Sequence, residues 1–307
     1  MNNAPIEFDL YITPDGTEFL LSDFSSRAIL RTTGLGIAPL KTVTQRGPFQ
    51  HGETLLDYRL DPRIIQLVLR ANAFNRDRYW TLRQSLINSF RPNRNTTAGV
   101  VELGKFRKIL RTGLVRDIDV FFISGIEFAE QNDDWDAFGV TEGIRFFAPD
   151  PTFYDPAVKS SLFALAELVN LVFPITFPII FGTSTINSSV NMTYNGNWIA
   201  YPTITIVGPL NSLILTNQTT GEFISLSYNI PVGRTVTITL TYGNKTVEDD
   251  LGTNLIGVVT PDSSLASFHL APDPEAPGGV NTINVVASGA TLATSITLSW
   301  YDRFIGI

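Results

Sequence analysis

Residues 235–242, TVTITLTY, alternate threonine with Val236, Ile238, Leu240 and Tyr242 without a break. Successive side chains of an extended strand point to opposite faces, so this pattern makes one apolar face and one hydroxyl-bearing face. A helix would scatter the same residues around its circumference. One dry and one wet face belong to an antiparallel sheet, because parallel sheets are buried on both sides. Further short apolar segments at 203–207, 213–216, 223–228, 266–270, 282–286 and 295–300 are separated by Gly, Asn and Pro. Strands at such short spacing predict an antiparallel β-sandwich.

Charge divides the chain. Residues 1–150 hold 18 Lys+Arg and 19 Asp+Glu, net −1, whereas residues 151–307 hold 4 and 10, net −6. The first part is charge-dense and Arg-rich; the second is charge-poor and rich in Thr, Ser, Asn and Gly. A chain of 307 residues is also long enough for two cores, at roughly 150 residues per domain. The expected division is a first domain over 1–150, a connecting segment over 151–181 and the sandwich over 182–307. A net-acidic chain argues against nucleic acid as a partner. With no Cys there is no disulfide framework, thiolate nucleophile or Cys-ligated metal. No basic stretch precedes an apolar run at the start of the sequence, so no signal peptide is expected.

The charged first domain is organised around residues 47–92. Leu55, Tyr58 and Leu60 alternate with Asp57, Arg59 and Asp61; Ile64, Ile65, Leu67, Val68 and Leu69 follow Pro62. This reads as a hairpin over 47–69. Asn75, Arg76 and Asp77 then open a helix with apolar positions Tyr79, Trp80, Leu82, Leu86, Ile87 and Phe90, most of them on one stripe. Arg91 and Pro92 end it. Before this stretch, strands are expected near 8–12, 17–21 and 28–32, with a turn at Pro14, Asp15 and Gly16. After it, strands are expected at 100–103, 109–115, 119–130 and 140–147. The run Val120, Phe121, Phe122, Ile123 suggests burial on both faces. Residues 147–156 carry Pro149, Pro151 and Pro156 and read as a stiff linker outside any sheet. Residues 162–181 are apolar, but Glu167, Asn170, Pro174 and Pro178 argue against a membrane span.

No motif carries chemistry. His51 and His269 have no partner nearby in sequence, and no GxSxG elbow supports a nucleophile. The acid pairs Asp133/Asp134, Glu248/Asp249/Asp250 and Asp273/Glu275 read as solvated loop acids, and none has the spaced oxygens of an EF-hand. No enzyme activity, cofactor or metal is therefore expected. Trp198 and Tyr201 are the candidate glycan contacts, since aromatic faces stack on sugar rings.

These pieces resemble a family. GPFQHGETLLDYRLDPRIIQLVL, RYWTLRQSLINSF and FFAPDPTFYDP in the first domain, then PITFPIIFG, YNGNWIAYPTITIVGPLNSLILTNQTTGEFISL, GVNTINV and WYDRFIGI, follow one another as in the distal tail proteins of long-tailed bacteriophages. The resemblance covers nearly the whole chain. It implies a mainly β protein: a β-barrel-like N-terminal domain with one α-helix, and a galectin-like or carbohydrate-module-like sandwich. It implies a structural virion protein at the tail tip, made in the host cytoplasm and closing into a hexameric ring. The implied partners are the tail tube protein, the hub or tail-associated lysin, and a tail fibre or receptor-binding protein. A carbohydrate-binding module contacting host saccharide is the alternative. In the family a long hairpin often clasps the neighbouring subunit, which makes Asp57, Arg59, Asp61 and Arg63 candidates for inter-subunit ion pairs.

Overall fold

The structure, a computed structural model, describes residues 7–23, 25–128, 139–165, 185–241 and 243–307. Its contacts form two units, Met1–Pro156 with Phe304–Ile307, and Ala157–Arg303.

The first unit contains β1 (Phe8–Ile12), β2 (Glu18–Leu20), β3 (Arg27–Thr33), β4 (Leu40–Gln45), β5 (Thr54–Leu60), β6 (Arg63–Asn72), α1 (Arg76–Phe90), β7 (Gly104–Ile109), β8 (Val115–Ser124), β9 (Gly139–Ala148) and β10 (Phe153–Tyr154). One sheet runs β2-β1-β7-β8-β9-β6-β3, with β10 pairing against β8. Among the described residues, strands β4 and β5 pair only with each other. β6 shows why the sheet buries one side: Ile65, Leu67, Leu69 and Ala71 are buried, while Gln66, Arg70 and Asn72 between them are exposed. The helix starts where the Asn75 side chain accepts the Arg78 backbone N–H at 2.9 Å, an N-cap with Asp77 in the first turn. Its buried stripe is narrower than the sequence suggests. Leu82, Leu86 and Phe90 face the core, whereas Trp80 and Ile87 lie off the stripe and are exposed. Phe90 stacks on Tyr11 at 5.1 Å between centroids and meets Phe122 and Phe146 at 5.4 and 5.9 Å.

The second unit contains β11 (Lys159–Ala164), β12 (Thr185–Thr193), β13 (Thr203–Val207), β14 (Leu210–Asn217), β15 (Glu222–Ile230), β16 (Thr235–Thr239), β17 (Thr246–Asp249), β18 (Val280–Ser288) and β19 (Ser295–Trp300). Two antiparallel sheets, β11-β19-β13-β16-β17 and β12-β18-β14-β15, enclose a single core. In β16 the expected division holds: Val236 and Ile238 are buried, and Thr235, Thr237 and Thr239 are half-exposed. The protein is mainly β, as expected, with one α-helix among the described residues. A last strand, β20 (Arg303–Phe304), pairs with β10.

Several local expectations fail for physical reasons. The segment at 109–115 is the β7–β8 turn, closed by Leu110 N–H to the Leu114 carbonyl with Gly113 at φ 84°. Ile123 is exposed because a register shift between Phe122 and Ser124 leaves it outside the ladder. The prolines near 147–156 do not exclude that segment from the fold. Phe153 is fully buried, and Tyr154 pairs with Asp117 of β8. Residues 266–270 form no strand; Leu270 bridges only Ala200. The buried amides of Asn217 and Asn281 supply partners there, to the carbonyls of His269 and Ala271, each at 2.9 Å. The acids Asp133 and Asp134 and most of the apolar run, 166–181, lie outside the described residues. Among those described, no helix is long and apolar enough to cross a membrane.

Candidate assembly surface

The hairpin β4–β5 carries the site. It is shifted from the expected 47–69: its first strand precedes residue 47, and 63–69 belongs to the central strand β6 instead. Paired residues on a hairpin share a face. Leu40 and Leu60, Thr42 and Tyr58, and Thr44 and Leu55 form one face; Lys41 and Arg59, Val43 and Asp57, and Gln45 and Thr54 form the other. The register shift between Val43 and Thr44 leaves Leu56 as the extra residue of a bulge, which adds local twist. Leu55, Leu56 and Tyr58 are 61%, 58% and 52% exposed. A lone two-stranded hairpin is only marginally stable in water, and clustered exposed apolar residues mark an interaction surface.

The tip is built rather than loose. Gln50 Oε1 accepts the Gly47 N–H at 2.9 Å, and its Nε2 donates to Thr54 Oγ1 at 2.9 Å. Phe49 stands there fully exposed, with its backbone at φ 63°, a conformation that costs a bulky residue free energy. His51 lies in the same turn, exposed. Sequence reasoning passed over Phe49, although an aromatic beside a Gly-Pro pair in a polar turn is an available signal.

The charged candidates separate. Asp57, Arg59 and Asp61 are on the arm or at its root, and none forms an ion pair with a described residue. Lys41 sits directly opposite Arg59, a like-charge pair that disfavours the isolated hairpin. Arg63 departs from the expectation. It is buried at 1% exposure, donating to the carbonyls of Gly34, Gly36 and Ile305, so it is not a surface ion-pair residue. Burial pulls its guanidinium down to about 10, opposed by the charge of Asp150.

In the sandwich, Trp198 is half-buried, with its backbone N–H bonded to the Arg303 carbonyl at 3.2 Å. Tyr201 packs against the core with Lys245 Nζ 4.8 Å from its ring centroid, so a cation sits over one face of the ring. Two of the loop acids are structural: Arg234 pairs with Asp249 at 3.1 Å and Asp250 at 2.9 Å. His269 has partners that sequence distance concealed, Glu222 Oε2 at 3.0 Å and Glu275 Oε1 at 3.4 Å. Among the described residues, no His, Cys, Asp or Glu cluster could hold a metal ion.

Comparison with known proteins supplies the context. Residues 195–304 match the family model for the siphovirus-type tail component, C-terminal domain. No curated protein matches the sequence. The structure is similar to that of the Dit (gp 19.1) protein of phage SPP1, described as a paradigm of the hub adsorption apparatus in Gram-positive-infecting phages. The TM-score is 0.62 at 13% identity, covering 97% of this chain and 99% of that one. The phage P2 baseplate in its activated conformation is also similar, with Ca (TM-score 0.48, 8% identity, 95% and 97% covered) and with Sr (0.48, 8%, 96% and 98%). Residues 195–304 thus resemble the siphovirus-type tail component, C-terminal domain, and the chain as a whole shares its fold with the SPP1 Dit protein.

Proposed function

We propose that this protein is a structural component of the virion tail tip. Copies close into a hexameric ring, with the tail tube protein on one side and the hub or tail-associated lysin and the fibre or receptor-binding protein on the other. The observation that carries this reading is the β4–β5 hairpin, an arm with an apolar face and with no ion pair for Asp57, Arg59 or Asp61 and no further pairing strand among the described residues. A ring needs a heterologous contact, in which one patch of each copy meets a different patch of the next. An arm projecting exposed Leu, Tyr and Phe side chains beside Asp57, Arg59 and Asp61 suits one half of such a contact.

Light scattering and negative-stain imaging of the purified protein test it. The expected species is a ring. Tyr58→Asp with Arg59→Glu disperses it to smaller species whose circular dichroism matches the parent. A parent that is monomeric at every concentration, with no rings in images, counts against the reading. Intact rings from the double variant place the contact elsewhere.

A further inference from the structure

Arg63 heads the fully buried side chains of the chain by volume, yet it makes no ion pair with a described residue. A buried guanidinium without a carboxylate is costly unless its N–H groups are satisfied. Here backbone carbonyls accept from Nη1 at 2.8 Å (Gly34) and 2.9 Å (Gly36) and from Nη2 at 2.6 Å (Ile305), and the Phe153 ring centroid lies 4.7 Å from Cζ, while the buried Nε has no hydrogen-bond partner among the described residues. These contacts come from three separated segments. Residues 34–36 lead into the arm, Arg63 follows the arm's exit at Asp61 and Pro62, and Ile305 arrives from the far side of the sequence.

Other contacts converge there. The Asp61 N–H donates to the Pro39 carbonyl at 2.8 Å, closing the arm's root. The Ile307 N–H donates to the Leu35 carbonyl at 2.9 Å. Phe304 lies under Arg116, whose Cζ is 3.8 Å from the ring centroid. Two glycines make the approach possible. A Cβ on Gly34, at φ +87°, would fall 2.2 Å from the Ile64 carbonyl oxygen, and one on Gly306 would fall 2.6 Å from that of Gly36.

We infer that Arg63 and the segment Phe304–Ile307 form a clamp that fixes the direction of the β4–β5 arm against the first unit. Arg63 is a positioning residue for that arm. The planar fork of an arginine reaches three carbonyls at once, which a lysine ammonium on the same stem does not. The consequence for ring closure rests on the assembly role proposed above; the clamp itself does not.

The chain has no Cys, so His51→Cys at the arm tip and Asn88→Cys on α1 give one spin-labelled pair without background. Pulsed dipolar distances are then compared among the parent, Gly306→Val and Arg63→Lys. The parent is expected to give one narrow distribution. Both variants are expected to broaden it at least twofold while near-UV circular dichroism and the unfolding transition stay cooperative. Ring yield falls with them. A broad parent distribution, or variants as narrow as the parent, overturns the clamp. So does global unfolding by Arg63→Lys, which makes the residue a fold element only. If Gly306→Val does not fold, Arg63→Lys decides alone. A parent that forms no rings rejects the assembly role, and the monomer's distances still judge the clamp.

Discussion

Strands β5 and β6 are neighbours in sequence, separated by Asp61 and Pro62, and both are apolar enough to be core. Their fates are opposite. Every position of β6 that points inward is buried, between β3 and β9. Among the described residues β5 has only β4 beside it, and of its own residues only Leu60 is better than exposed. Apolar content therefore does not separate buried from exposed strands within this stretch; the number of flanking strands does. Among the described residues, the second flanking strand that β6 has is one that β5 lacks.

The largest effect that tests this difference is a pair of truncations. Leu67→Ala in β6 is expected to destabilise the first unit by about 2–5 kcal/mol, the cost of a cavity in a packed site. Tyr58→Ala in β5 is expected to stay within about 0.5 kcal/mol, as for an exposed position without special contacts. Urea denaturation of the unassembled protein measures both. A Tyr58→Ala cost approaching that of Leu67→Ala would mean that the arm packs on its own subunit.

The same contrast explains what sequence reading recovered. Period-two alternation was legible in β16, and the helix boundaries followed from Asn75 and Pro92, because these signals are local. The hairpin's register was not legible. Leu40, Thr42 and Val43 carry no stronger strand signal than Ile64 and Ile65, and pairing choice depends on partners far away in sequence. Arg63 was misassigned for the same reason. Its charge suggested the surface, and the carbonyls that accept its protons belong to residues 34, 36 and 305. The placement of Lys245 over one face of Tyr201 and the flanking of His269 by Glu222 are likewise contacts that no spacing reveals.

Acid gives the next effect, and it falls on the loops of the packed sheet. Glu102 is held down to about 2 from an ordinary 4.5, first by the Thr96 backbone N–H and then by the Thr97 and Thr96 side chains. The Thr13 hydroxyl, with Arg94 and Thr17, holds Asp15 well below the usual carboxylate range. At Asp23 burial pushes upward, but the Ser26 hydroxyl and the N–H groups of Arg27, Ser25 and Ser26 outweigh it and the carboxyl is also low. Between the folded and unfolded values the unfolded chain binds more protons, so stability falls as pH falls. The unfolding temperature should hold at pH 6, then drop from about pH 4.5 towards pH 2. Glu102→Gln should flatten part of that drop. A profile flat to pH 2 would mean that these hydrogen bonds do not survive in solution.

The smallest effect bears directly on the arm. Lys41 and Arg59 face each other across β4 and β5, and like charges in that position oppose pairing. Lys41→Glu turns the pair into an attractive one and should stabilise the free hairpin by about 0.2–1 kcal/mol. Amide exchange of β4 and β5 in the unassembled protein reads this as slower exchange, with β6 unchanged as the internal reference. If the cationic face meets acids on a neighbouring copy, the substitution weakens the ring while it strengthens the arm. Opposite signs in the two measurements would assign the repulsion between Lys41 and Arg59 to the interface, where a partner's carboxylates relieve it. Equal signs would assign that face to solvent and leave the apolar row of Leu40, Leu55, Tyr58 and Leu60 as the contact.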